Sequence, residues 1–185
     1  MVRSGAVFTK GVADHLIVEM QNLHIDRREI KSLQALCWAV IAVFTGQYNH
    51  TVDTKGRLII PSKFREILGD QFWVSKGMDG CLFAFANDDW KMFEDKLKAL
   101  PITNKNARKF ARFFLAGSAE VELDKQGRIL LPQHLREFGE IDKDVVLVGV
   151  GSRIEIWDRD KWNAENSDDD MDAIGESMES IGITI

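Results

Sequence analysis

Asp53-Thr-Lys-Gly-Arg57 and Asp124-Lys-Gln-Gly-Arg128 each put a carboxylate, a glycine and a guanidinium within five residues, and the two copies lie 71 positions apart. Each is followed by three aliphatic residues and a proline, Leu58-Ile-Ile-Pro61 and Ile129-Leu-Leu-Pro132. Gly56 and Gly127 allow the positive φ that a tight connection between strands needs. Asp53 and Asp124 are expected to accept hydrogen bonds from exposed turn amides and to remain structural. Arg57 and Arg128 then point off the end of a hairpin, with donors suited to phosphate oxygens or to a guanine edge. One such turn, taken alone, is a stabilising ion pair. Two equivalent turns, with Lys55 and Lys125 beside them, form an arrangement for gripping a repetitive anion, and double-stranded DNA is the obvious one.

Further cations follow each proline. Lys63, Arg65 and Arg136 fall on short helical patterns, where Glu66 and Glu137 directly follow the arginines. Contact with DNA and a solvated helix face are both open for Arg65 and Arg136. The same two readings hold for the basic run Lys105–Arg112. Other chemistry is thin. His15, His24, His50 and His134 have no metal-ligand spacing, and no phosphate-binding glycine loop, nucleophile elbow or zinc signature occurs. No catalytic residue, metal site or cofactor is assigned. An enzyme using Asp53 or Asp124 with His50 is a weak third reading, because the second copy has Val121 where the first has His50.

The elements that must hold these turns are written twice as well. Gln47–Asp53 and Ser118–Asp124 read as strands. Pro61–Gly69 and Pro132–Gly139 read as short helices, with proline suiting the first helical position and glycine the end. Trp73–Phe85 and Val146–Trp157 read as hairpins turning at Asp79-Gly80 and Gly151-Ser152. An internal repeat of this kind builds one supersecondary unit twice. Two amphipathic helical patterns lie between the copies, Asp88–Leu100 and Asn104–Ala116, the second ending at Gly117. Phe110, Phe113, Phe114, Trp90 and Trp162 read as core. The chain therefore divides into an N-terminal extension over 1–43, repeat 1 over 47–92, a helical linker over 93–117, repeat 2 over 118–162, and a disordered acidic tail over 163–185. A helical pattern runs from Asp26 to Val43. The class is α+β.

The formal net charge of −5 hides an uneven distribution. Residues 163–185 carry seven acidic groups and no Lys or Arg, whereas 1–43 and 44–162 are each +1. The overall charge thus reports the tail, and local patches must be judged separately. Cys37 and Cys81 lie far apart, which argues against a disulfide framework and a structural zinc and fits a reducing cytoplasm. The longest apolar stretch, Leu33–Phe44, covers 12 residues including Gln34. That is short of the roughly 18–20 needed to cross a bilayer. It also lacks a signal-peptide pattern, so a soluble cytoplasmic protein with no membrane partner is expected.

The block Phe44-Thr-Gly-Gln-Tyr-Asn-His-Thr-Val-Asp-Thr-Lys-Gly-Arg-Leu-Ile-Ile-Pro-Ser-Lys-Phe-Arg65 resembles the MraZ family of bacterial transcriptional regulators, which carry tandem SpoVT-AbrB domains. Arg108–Gly117 and the second copy through Ile154-Glu-Ile-Trp157 are similar to it too, so the resemblance covers about residues 44–162. It implies a swapped-hairpin, AbrB-like β-barrel in which two tandem repeats pack about a pseudo-two-fold axis, with added helices. It also implies a ring-like homo-oligomer, association with the nucleoid, and binding to direct repeats in the promoter of the division and cell-wall gene cluster, with repression of it. The family's basic turn residues fall on Lys55, Arg57, Lys125 and Arg128, with Arg65 and Arg136 in second rank. Residues 1–43 have no counterpart, and Val43 stands where family chains begin with methionine. A GTG start codon read internally as valine is the expected explanation, which makes the head a mis-assigned start. The acidic tail extends past the usual end. The alternative from another class is an AbrB-fold oligomeric protein-interaction or antitoxin-like module, since a fold does not fix a function.

Overall fold

A computed structural model describes residues 43–166, 171–179 and 181. The chain divides after Val43, and the description below concerns the unit that begins at Phe44. Its elements run β1 (Phe44–Thr51), β2 (Arg57–Ile59), α1 (Ser62–Leu68), β3 (Gln71–Lys76), β4 (Leu82–Phe85), α2 (Asn87–Lys98), α3 (Lys105–Leu115), β5 (Ala119–Glu122), β6 (Arg128–Leu130), α4 (Gln133–Gly139), β7 (Asp144–Gly151), β8 (Arg153–Asp158), α5 (Arg159–Glu165) and α6 (Met171–Glu179). The order strand, strand, short helix, hairpin occurs twice, and it is the order that the repeated sequence dictates.

The strands form an antiparallel six-stranded sheet in the order β1-β7-β8-β4-β3-β5 and a two-stranded ribbon, β2-β6. The first strand of each repeat pairs outside its own repeat: β1 lies along β7 over its whole length, and β5 lies along β3. The ribbon pairs one strand from each repeat, with Leu58 opposite Ile129 at its centre. The six-stranded sheet is not closed into the expected barrel. β1 and β5 are its two edges. The strands that could close it, β2 and β6, are three residues each and pair with one another, joined to the β1 end by the single bridge Val52–Leu58.

Strand alternation sorts the side chains into two cores. Leu82 and Ala84 of β4, Val145 and Leu147 of β7, and Ile154 and Ile156 of β8 face the ribbon side, where they meet Leu58, Ile60, Ile129, Leu131, Phe64 and Phe72. Their neighbours Phe83, Phe85, Val146 and Trp157 face the other way, onto Trp90 and Leu97 of α2 and Phe114 of α3. β4 is thus buried on both faces, which explains its continuous apolar run. Complete burial of a side chain such as Leu58 or Ile129 contributes about 1.5–3 kcal/mol. Phe110 departs from the core reading: it is 44% exposed at the rim, edge-on to Phe114.

Other local details also differ from the sequence reading. Pro61 and Pro132 occupy the N-cap rather than the first helical turn, and each proline carbonyl accepts the amide four residues on, Arg65 or Arg136. Gly69 ends α1 with φ 76°, but in the second copy Gly139 stays inside α4 and Glu140 takes the left-handed position. Gly139 is buried, where a Cβ would press on Ile141 at 3.2 Å, so packing holds the glycine in the helix. At the end of α3 the cap is Ala116, one residue before Gly117. Both expected hairpins are present, with positive φ at Asp79, Gly80 and Gly151. The tail read as disordered contains the end of α5 and all of α6. Met171, Ile174 and Met178 recur at helical spacing there, a signal that the acidic composition masked. The pattern read over Asp26–Val43 lies outside the described residues, Val43 excepted.

Candidate functional site

The two Asp-x-x-Gly-Arg turns enter the ribbon from opposite ends and share one bonding scheme. Asp53 Oδ1 accepts the backbone amides of Lys55 (2.9 Å) and Arg57 (3.0 Å). Its Oδ2 accepts Arg57 Nε (2.7 Å) and Nη2 (2.7 Å). In the second copy Asp124 Oδ1 takes the amides of Gln126 (2.8 Å) and Arg128 (3.0 Å), and Oδ2 takes Arg128 Nε (2.8 Å) and Nη2 (2.7 Å). Donation from the arginine side chain, then from its amide, holds each aspartate down at about 2. Of the five N–H groups on each guanidinium, two are committed to the carboxylate and three are left for a ligand. The aspartate therefore aims the arginine while leaving its outer edge open.

The turns are also braced against each other. Gly56 and Gly127 have φ 80° and 73°, and both are buried. Ile60 N–H donates to Gly127 O (3.0 Å), and Leu131 N–H donates to Gly56 O (2.9 Å), so each repeat anchors the turn of the other. Arg136 and Arg65 repeat that exchange with their side chains. A Cβ on Gly56 would lie 3.0 Å from Arg136 Cζ, and one on Gly127 would lie 2.5 Å from Arg65 Nη1. Both arginines are half-buried. Arg136 Nε donates to Leu131 O (3.2 Å), whereas Arg65 Nε is buried without a hydrogen-bond partner. They support the turns from beneath. Lys55 and Lys125 are exposed at the turn tips, and Lys63 is exposed on α1.

Sequence reasoning missed two residues of this face. Leu58, Ile60, Ile129 and Leu131 point into the core, so alternation turns Arg57, Ile59, Arg128 and Leu130 outward. Ile59 is 46% exposed and Leu130 62%. The signal was the aliphatic triplet itself, because the middle residue of an in–out–in strand must share a side with the arginine that precedes the triplet.

The enzyme reading gains nothing from the geometry. Both oxygens of Asp53 are bonded within its own turn, and half-buried His50, opposite Val145 in the β1–β7 pairing, has its pKa lowered by burial. Cys81 is buried, and that burial pushes its thiol up to about 12, far from a thiolate nucleophile. Among the described residues, no three or more His, Cys, Asp or Glu side chains are grouped to hold a metal ion. No described helix is long and apolar enough to cross a membrane.

Comparison with known proteins places these observations. A family model described as "MraZ protein, putative antitoxin-like" matches residues 43–113 and again 114–177. The protein named transcriptional regulator MraZ of Clostridium acetobutylicum is 56% identical over 142 residues, 76% of this chain and 100% of that protein. Its namesake in Acetivibrio thermocellus is 54% identical over 143 residues, again 76% and 100%. That of Carboxydothermus hydrogenoformans is 59% identical over 121 residues, 65% of this chain and 85% of that protein. With two matched domains that meet near the end of α3, and this identity along whole relatives, the chain belongs to the MraZ family.

Proposed function

We propose that this protein is a sequence-specific DNA-binding transcriptional regulator. The observation that carries the reading is the pair of aspartate-oriented arginines at the two ends of one exposed antiparallel ribbon. Two-stranded ribbons fit the major groove of B-DNA, where an arginine can donate twice to guanine O6 and N7. Lys55 and Lys125 supply phosphate attraction at the turn tips, and Lys63 extends it along α1. Arg65 and Arg136 act beneath the turns and keep them in register. The name carried by the relatives, transcriptional regulator, supports the same reading.

The finer proposal is repression of the protein's own division and cell-wall gene cluster through direct repeats in its promoter, in the cytoplasm at the nucleoid. A ring-like homo-oligomer suits repeated sites, because linking several modest grips raises avidity by about 10²–10⁴ without new contacts. The strand exchange between repeats supports a swapped-hairpin, AbrB-like description of the fold. The test is binding of the full chain to the duplex immediately upstream of its gene and to a scrambled duplex of the same composition. Tighter binding to the native duplex, lost when the direct repeats are scrambled, is the expected result. Equal binding to both sinks the sequence-specific reading and returns the protein-interaction alternative.

A further inference from the structure

We propose that Ile59 and Leu130 are specificity-determining residues that read the C5-methyl groups of thymine in the major groove. The inference rests on the DNA-binding reading above and deepens it. Both side chains stand on the outer face of the β2–β6 ribbon, and among the described residues they are left open: Ile59 is 46% exposed and Leu130 62%, while Leu58 and Ile129 between them are fully buried. Register places Leu130 directly opposite Arg57, and Ile59 directly opposite Arg128. Each guanidinium-bearing residue therefore has an aliphatic neighbour across the ribbon, and the two pairs are related by the pseudo-two-fold through Leu58 and Ile129.

A face that carries Arg57 and Arg128 on one diagonal, with Lys55 and Lys125 beyond its ends, is complementary to an anion, and the apolar pair on its other diagonal must meet the apolar part of that anion. In the major groove the thymine methyl is that part, since the other base-edge groups there are hydrogen-bond donors or acceptors. Opposed side chains on an antiparallel pair have Cβ atoms about 4.5–5.5 Å apart. That is close enough to the roughly 3.4 Å base step for an arginine and its neighbour to address adjacent base pairs. The resulting code is a guanine beside a thymine, presented twice in inverted relation under each subunit.

Replacing thymine by deoxyuridine removes the methyl and leaves every hydrogen bond and charge of the pair in place. The experiment measures affinity of the full chain for the upstream duplex, with each thymine of one repeat replaced in turn, for the wild type, for Ile59→Ala, Leu130→Ala, and for Ile59→Val, Leu130→Ile. One or two positions are expected to weaken wild-type binding by about fourfold each, the worth of one buried methyl-sized group. The alanine protein is expected to bind thymine and deoxyuridine duplexes equally. The Val/Ile protein should keep the discrimination, which also shows that altered packing is not the cause. Wild-type protein that distinguishes native from scrambled DNA yet ignores every deoxyuridine overturns this inference alone. Loss of subunit assembly in the alanine protein, with the thymine preference retained, also overturns it and assigns the pair to a protein contact. Failure to distinguish native from scrambled DNA at all overturns the underlying reading instead.

Discussion

The two turns make the same hydrogen bonds from different sequences. Thr54 and Lys55 in the first copy face Lys125 and Gln126 in the second, yet the aspartate, glycine and arginine of each adopt one geometry, with matching distances within 0.1 Å. The fold constrains those three residue types and leaves the two between them free. Charge is where the copies part. Each turn carries one lysine, Lys55 next to the glycine in the first and Lys125 one position earlier in the second, but the first adds Lys63 on the following helix where the second has His134. The arginines differ too: the Arg57 side chain is 32% exposed and that of Arg128 21%. A geometrically symmetric ribbon is therefore electrostatically lopsided, and the first turn is expected to dominate binding.

Removing both arginines tests what the copies share. In Arg57→Ala, Arg128→Ala the core is untouched, and specific DNA affinity should fall by at least about 30-fold, given roughly 1–3 kcal/mol for each good bidentate contact. Circular dichroism and oligomer size serve as controls. A folded, assembled double variant with wild-type affinity would falsify the arginine mechanism. Arg→Lys at both sites should recover binding to scrambled DNA better than binding to the native repeats, because lysine keeps the charge and loses the planar fork. The single variants test the difference between copies: Arg57→Ala should weaken binding more than Arg128→Ala. The reverse order would mean that exposure and neighbouring charge do not set the ranking.

A glycine substitution addresses the brace next. Alanine at Gly127 must adopt a left-handed backbone, costing roughly 1–2 kcal/mol, and its Cβ displaces the Arg65 guanidinium. Denaturant melting should show that loss, and DNA affinity should fall with it, although residue 127 itself contacts no ligand in this scheme. Gly56→Ala should behave alike through Arg136. A larger cost at Gly56 would show that Arg136, tied to Leu131 O, resists displacement more than Arg65 does.

Lys55→Ala is a smaller change. The slope of log affinity against log salt becomes shallower by about 0.9 for every phosphate that the protein no longer neutralises. Lys55→Ala should therefore reduce the slope by roughly one for each phosphate that Lys55 neutralises, and Thr54→Ala should leave it unchanged. Lys125→Ala should match Lys55→Ala if position in the turn is unimportant. A slope that responds to neither lysine means that neither side chain neutralises phosphate.

Much of this was legible in the chain because turn chemistry is local. The Asp-x-x-Gly-Arg pattern fixed where the strands end and which side chains converge, and the aliphatic triplets placed Leu58 and Ile129 in the core. The exchange of strands between repeats was invisible to periodicity, since alternation in Phe44–Thr51 does not say which strand it joins. Nor could spacing reveal that Arg65 lies under Gly127, a contact between residues 62 positions apart in sequence. The exposed Ile59 and Leu130 were legible and overlooked, because a run of three aliphatic residues reads as core until its strand alternation is assigned.

The finest test of equivalence between the turns is their acid titration. Each aspartate is held at about 2, below its ordinary value of 3.8, chiefly by its own arginine. A folded-state pKa that is depressed contributes stability above the unfolded value, and the contribution is lost as pH falls through the folded one. Nothing from this source should therefore change between pH 7 and 5, and the loss should develop between about 4 and 2. Exposure of both groups to solvent makes each contribution small. Carboxyl-carbon NMR on the full chain can follow Asp53 and Asp124 separately, and Arg57→Ala should return Asp53 toward its ordinary value while leaving Asp124 low. If Asp124 moved as well, the turns would be coupled through the Gly56 and Gly127 braces rather than merely alike. If either aspartate titrated near 3.8 in the wild type, its arginine would be swinging free, and the shared geometry on which the comparison rests would hold for one repeat only.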